Sequence, residues 1–149
     1  MTEINGLRLA YRGVVIGLSG GYVWAATAML GVLLAGGNPL APLHVLGGEG
    51  RDGLLAGIGL VQVGSGAIGM TFAYFFGRYF TVRGTLALAG PCFAGLAWLL
   101  LLRVGLNPGE IETQLALGAA ALLYGAVLGA GLPVRAEVVR YAPSGSPST

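Results

Sequence analysis

The segment Gly13–Ala35, GVVIGLSGGYVWAATAMLGVLLA, contains no charged side chain. A run of this length matches the roughly 20 residues that an α-helix needs to cross about 30 Å of hydrocarbon. Three further stretches repeat the pattern, because no charge falls between Asp52 and Arg78, between Arg83 and Arg103, or between Glu112 and Arg135. The sequence therefore predicts an all-α integral membrane four-helix bundle, with transmembrane helices at 13–35, 54–76, 85–102 and 114–134 of a single domain spanning 1–142. A barrel is disfavoured, since these runs are continuously apolar and lack the alternation of barrel strands. The first run also exceeds the roughly 7–15 residues of a secretory h-region, so it reads as a span and not as a cleaved signal.

Composition agrees with a lipid environment. Only 9% of the 149 residues are charged, against roughly 25% in a soluble domain. The mean hydropathy is +0.79 and there are 28 glycines, a residue enriched in membrane helices. The net charge of +2 comes from dispersed arginines that form no basic stripe, so nucleic acid is not an expected partner. Cys92 stands alone in an apolar run, which excludes an intrachain disulfide and a cysteine-based zinc cluster. The tail 143–149, rich in Pro and Ser, reads as a flexible polar segment.

Orientation follows from the arginines. Arg8, Arg12, Arg78, Arg83, Arg135 and Arg140 fall on one side of a four-span arrangement, and only Arg51 and Arg103 on the other. By the positive-inside rule both termini are cytoplasmic, and the expected location is the inner (plasma) membrane, crossed several times. The connection NPLAPLHVLGGEGRDG, residues 38–53, then faces outward and reads as a water-exposed loop.

A shift of 69 residues lays GYVWAATAMLGVLLAGGNP (21–39) on GPCFAGLAWLLLLRVGLNP (90–108), matching Gly21 with Gly90 and Asn38-Pro39 with Asn107-Pro108. Spans two and four agree more loosely, through GSGAIGMTFA (64–73) and LYGAVLGAGL (123–132). Two duplicated helical hairpins are expected, related by an axis along the membrane normal.

Lipid tails are as apolar as leucine, so helices in a bilayer associate where small residues let backbones approach. Small residues at intervals of four mark such grooves: Gly13, Gly17, Gly21 and Ala25 in span one, Ser65, Gly69, Ala73 and Gly77 in span two, Ala121, Gly125 and Gly129 in span four. Leu30, Leu33, Phe72, Phe76, Leu99 and Leu101 are expected on the opposite, lipid-facing or partner-facing side. Pro91 should bend span three. Trp24 and Trp98, near mid-span, should pack between helices.

Chemistry is sparse. The spans carry no ionisable acid or base of the kind that marks a proton relay. Gln62, Ser65 and Tyr124 are the candidates for a polar site within the bundle. His44, the only histidine, could meet Glu49 and Asp52 of the outer loop around a metal, although solvated roles are the ordinary expectation for such residues. No cofactor is expected. The expected partners are the lipid bilayer and other membrane subunits or further copies of the chain. The leading functional expectation is a non-catalytic accessory subunit or homo-oligomer, and the rival is a passive channel or carrier with a path near Gln62, Ser65 and Tyr124.

Arg83-Gly84 before span three, Trp98 within it and LLYGAVLGAGLP (122–133) in span four resemble small four-helix bacterial membrane proteins of unknown function. That resemblance implies the fold and supplies no activity. GSGAIGMTFAYFFGRYF (64–80) followed by RGTLALAGPCFAGL (83–96) also resembles the first two helices of the small fluoride-channel family. The family's pore asparagine would fall near Ala89, its helix break has no counterpart in span four, and span one lies outside the match, so no activity is carried over.

The proposed topology has a direct check. Single cysteines introduced near residue 3 and at position 44, in a Cys92→Ala background, should be labelled by an impermeant maleimide from opposite faces of the membrane. Labelling of both from the same face would overturn the four-span arrangement.

Overall fold

The computed structural model describes residues 6–77, 79, 82–103 and 111–132. Among these, the chain forms α1 (Gly6–Leu34), α2 (Ala41–Gly47), α3 (Gly50–Phe76), α4 (Arg83–Arg103) and α5 (Ile111–Gly131), with no strand. The four longer helices are each long and apolar enough to cross a membrane, which makes the protein an all-α, multi-pass four-helix bundle. The polar tail 143–149, Pro133, Arg78, Arg135, Arg140 and the second Asn-Pro pair at 107–108 lie outside the described residues.

The helices run up, down, up, down, and α1 is central. It packs along α3 on one side and along α5 on the other, while α4 packs along α5. Glycine sets the first contact. A methyl group on Gly13 would strike the Gly69 carbonyl and the Ala73 side chain, one on Gly17 the Ser65 carbonyl, and one on Gly21 the Ser65 hydroxyl. On the other side, a methyl group on Gly69 would sit 2.7 Å from the Gly17 Cα. These distances lie below van der Waals contact, so the two backbones touch only because no Cβ stands between them. The α4–α5 hairpin is built in the same way: Gly90 abuts the Gly125 carbonyl, and Gly129 abuts the Leu86 carbonyl.

The two hairpins share this device but not its register. Under the sequence shifts, the opposition of Gly21 and Ser65 would place Gly90 opposite Tyr124, whereas Gly90 lies against Gly125 and Gly129. The two remaining helix pairs, which a strict two-fold relation would make equivalent, also differ. The α1–α5 pair is in long contact, through Gly20 under Tyr124, Gly31 against Ala116, and Gly131 against Ile16. The α3–α4 pair meets at aromatic rings, where Phe93 lies 5.4 Å from Phe72 and 5.6 Å from Phe76, centroid to centroid.

Phe72 and Phe76 thereby correct the expectation that they face lipid. Phe72 is fully buried and Phe76 packs against the same core as Leu86, Tyr124 and Leu128. The reason is geometric: α3 and α4 lack a matching glycine groove, so they stand apart and large rings fill the gap. Leu30, Leu33, Leu99 and Leu101 are exposed on the bundle surface as expected. Among the grooves read from sequence, Gly13, Gly17, Gly21, Ser65, Gly69, Ala73, Gly77, Ala121, Gly125 and Gly129 are buried, while Ala25 is only half-buried. Trp24 and Trp98 flank a second core of Ala28, Leu117 and Ala120. Helix α4 continues through Pro91.

The first connection is more ordered than a loop. Helix α1 ends in a Schellman motif, in which Gly36 takes φ 81° and the Gly37 and Gly36 amides donate to the Val32 and Leu33 carbonyls. The chain then forms α2, whose Pro42 and Leu43 are buried and whose Gly47 abuts Gly53 and Gly57 of α3. Asn38, Gly48, Glu49, Gly50, Arg51 and Asp52 remain exposed, so the expected water-exposed loop is half right.

Substitution separates the packing glycines from the idle ones. Gly17→Val should cost about 1–3 kcal/mol through overpacking, whereas Gly59→Ala, which meets nothing within 4 Å, should change stability by less than about 0.5 kcal/mol. Unfolding in SDS followed by circular dichroism measures both.

Candidate functional site

Among the described residues, polar side chains come together at a junction of helices and at one end of the bundle. The first is the junction of α1, α3 and α5. The Tyr124 ring lies over Gly20, where an added methyl group would come within 2.8 Å of Cδ2. Its hydroxyl crosses to α3 and donates to the Ser65 carbonyl at 2.6 Å, a buried bond between residues distant in sequence. The Ser65 hydroxyl in turn donates to the Gln62 carbonyl at 3.1 Å. The structure thus unites the three sequence-predicted residues Gln62, Ser65 and Tyr124, although Gln62 takes part through its backbone.

In hydrocarbon an unsatisfied hydroxyl costs several kcal/mol, and these hydroxyls are satisfied by backbone oxygen. Ser19 and Thr71, on exposed faces, bond back to Val15 at 3.0 Å and Ala67 at 2.9 Å within their own helices. Among the described residues, no buried side-chain nitrogen or oxygen lacks a partner. The junction is chemically a cross-link between helices, in which the Tyr124 and Ser65 hydroxyls are already engaged.

The second place is the end of the bundle where α2 turns into α3. There Asn38, Ala41, His44, Val45, Glu49 and Gly50 line an open cavity of about 470 Å³. Two hydrogen bonds shape it. The Asn38 Oδ1 accepts from the Leu40 amide at 3.0 Å, an Asx turn at the entry to α2. The His44 Nδ1 lies 2.8 Å from the Gly48 carbonyl. Gly48 (φ 92°) and Gly50 (φ 80°) hold left-handed conformations that favour glycine, and they fold the connection back over the helix end.

Of the outer-loop candidates, His44 and Glu49 therefore share a cavity, whereas Asp52 does not line it. Asp52 sits in the first turn of α3, where its carboxylate complements the helix dipole. A three-residue set of His44, Glu49 and Asp52 is not assembled, and no group of three or more His, Cys, Asp or Glu able to hold a metal occurs among the described residues. Sequence reasoning missed Asn38 as a lining residue and the Gly48 carbonyl as the partner of His44. The Asn-Pro pair marked a turn, but nothing in its pattern indicates which side chains that turn faces.

Compared with protein-family models, with curated proteins and with solved structures, the chain matches none. The class of the protein is set by its fold alone: a multi-pass, all-α membrane protein whose helices are joined at glycine.

The junction makes a measurable contribution. Tyr124→Phe keeps the ring over Gly20 and removes the hydroxyl, so it should lower stability by about 0.6–1.7 kcal/mol, the range found for hydrogen bonds between membrane helices. Tyr124→Ala should cost more, since it also empties the core position. Both are read from SDS unfolding.

Proposed function

We propose that the chain is a non-catalytic inner-membrane protein that works through its lipid-facing and loop surfaces, as an accessory subunit of a membrane complex or as a homo-oligomer. The observation that carries this reading is the unequal burial of the helices. Only 17% of the apolar stretch of α4 is buried within the chain, against 39% for α5. Helix α4 is held along α5 and meets α3 far less, at Phe93 and the shared core, which leaves Leu88, Leu96, Leu99 and Leu100 on an open apolar face.

The polar groups support the same reading from the other direction. A path for a solute would need polar groups free to replace its hydration, whereas the Tyr124 and Ser65 hydroxyls are held by backbone oxygen. A carrier based on Gln62, Ser65 and Tyr124 would have to break the Tyr124–Ser65 bond in each cycle. Proteoliposomes that pass a small solute faster with Tyr124→Phe than with the native chain would favour that rival.

Native mass spectrometry of the protein released from its own membrane in mild detergent tests the proposal. The expected result is a species heavier than one 15.1 kDa chain, either a multiple of that mass or a complex with another membrane protein. A solitary monomer at native abundance overturns it.

A further inference from the structure

We infer that a second copy of the chain docks on the outer face of the α1–α3 pair, about a two-fold axis along the membrane normal, with each Tyr22 hydroxyl donating to the Gln62 carboxamide of the other copy. The inference rests on the homo-oligomer reading above and names its interface.

The first argument is a pair of polar side chains left open at membrane depth. The hydroxyls of Ser19, Ser65, Thr71 and Tyr124 each donate to a backbone carbonyl. The Tyr22 hydroxyl and the Gln62 carboxamide make no hydrogen bond among the described residues. Helix α5 brackets α1, since Gly131 lies against Ile16 and Ala116 against Gly31. At about 1.5 Å per residue, Tyr22 then stands about 9 Å inside one bracket and about 14 Å inside the other. That is too deep for the headgroup layer in which tyrosine is otherwise enriched. Lipid tails offer neither group a partner, so both gain by meeting polar groups of another helix.

The second argument is register. Gly13, Gly17 and Gly21 of α1 meet successively earlier residues of α3, from Gly69 and Ala73 to Ser65 and Val61, so the two helices are antiparallel. On the flank of this contact, a methyl group on Gly66 would lie 3.5 Å from Leu18. One turn onward along α1 is Tyr22, and one turn back along α3 is Gln62, so the two share a side and a depth. Tyr22 is 66% exposed there and Gln62 is half-buried. Ser19 and Ala26, about a turn before and after Tyr22, are small and exposed, which lets another helix come close.

The third argument identifies the occupant. A phenol donates one hydrogen, and a carboxamide accepts at Oε1. The face therefore carries a donor and an acceptor at a single depth, and it is self-complementary. A two-fold axis along the membrane normal preserves both depth and direction of insertion, and it can set α1 of each copy against α3 of the other. The Tyr22–Gln62 bond then forms twice. No charge lies on 13–35 or 53–76 to oppose the approach of two identical faces. Docking here also leaves the outer side of α4 free.

Energy transfer between full chains labelled at the amino terminus with donor or acceptor dyes, in liposomes over a series of protein-to-lipid ratios, tests the interface. For the native chain, transfer should rise linearly with the acceptor fraction, the mark of a dimer. Tyr22→Phe and Gln62→Leu each delete both bonds, so each should raise the ratio at half-transfer at least about five-fold, as two hydrogen bonds between membrane helices imply. The double variant should lose no more than the weaker single variant, because the bonds are already gone. Leu123→Ala, on the exposed side of α5, should leave the ratio unchanged. Circular dichroism reports whether each variant keeps its helices; Tyr22→Phe, at an exposed position, decides if Gln62→Leu does not fold. Dimers with the native midpoint in a folded Tyr22→Phe or Gln62→Leu variant overturn the inference alone, as does an additive loss in the double variant. A loss with Leu123→Ala as large as that with Gln62→Leu overturns it too. Monomers at every ratio overturn the inference while the native mass spectrum still decides whether the chain is an accessory subunit.

Discussion

The bundle depends on backbone meeting backbone at Gly17. In lipid there is no water to expel from between helices, so attraction must come from close van der Waals contact and from polar groups brought within reach. Gly17 lets α1 settle against the Ser65 carbonyl and Gly69, and the neighbouring glycines extend that contact along the helix. The adjacent pair Gly20 and Gly21 has a further consequence. Successive residues of an α-helix point about 100° apart, so Gly21 opens α1 toward α3 while Gly20 opens it toward α5. One helix thereby gains two close neighbours and becomes the centre of the fold.

Close approach also explains how a tyrosine is used in the core. With α1 thin at Gly20, the Tyr124 ring can cross it and reach the Ser65 carbonyl of α3. The same carbonyl faces Gly17, so one oxygen lies where α1, α3 and α5 meet. Hydrogen bonding here adds direction to a contact that packing alone would leave free to slide. The α3–α4 side has no such bond among the described residues and no facing glycines, and Phe72, Phe76 and Phe93 fill it with stacked and tilted rings. Helix α4 is therefore joined by close glycine contact on its α5 side and by ring contact on its α3 side.

Charge-free length was enough to read the four spans, because the cost of burying charge in hydrocarbon leaves so large a mark on sequence. Spacing was enough to read most of the grooves, since four-residue intervals stay on one face of a helix. Other features were hidden for identifiable reasons. Gly20, Gly31 and Gly131 follow no four-residue series and are recognised only once α5 is known to lie beside α1. Phe72 and Phe76 look the same to a lipid tail and to a protein core, so composition could not say that they point inward. Helix α2 is seven residues long, too short for periodicity to reveal. At the polar cavity, His44 and Glu49 were visible as residue types, but that both line it depends on Gly48 and Gly50 folding the chain back.

The helices differ in length in a way that bears on how the protein sits in a bilayer. Helix α1 has 29 residues and α3 has 27, whereas α4 and α5 have 21 each. At about 1.5 Å per residue the first pair spans about 43 and 40 Å and the second about 31 Å, and only the second matches a hydrocarbon core of about 30 Å. Contacts locate the excess. Gly31 lies beside Ala116 near one end of α5, and Gly131 at the other end lies beside Ile16. The part of α1 before Ile16, with the final turns of α3 that pack on it through Leu9 and Gly77, therefore extends past the described end of α5. That extension carries Arg8, Arg12, Tyr11 and Tyr74 on exposed positions, the side chains that favour a headgroup layer. The residues by which the described first hairpin exceeds the hydrocarbon length are thus of the kinds that suit a headgroup layer.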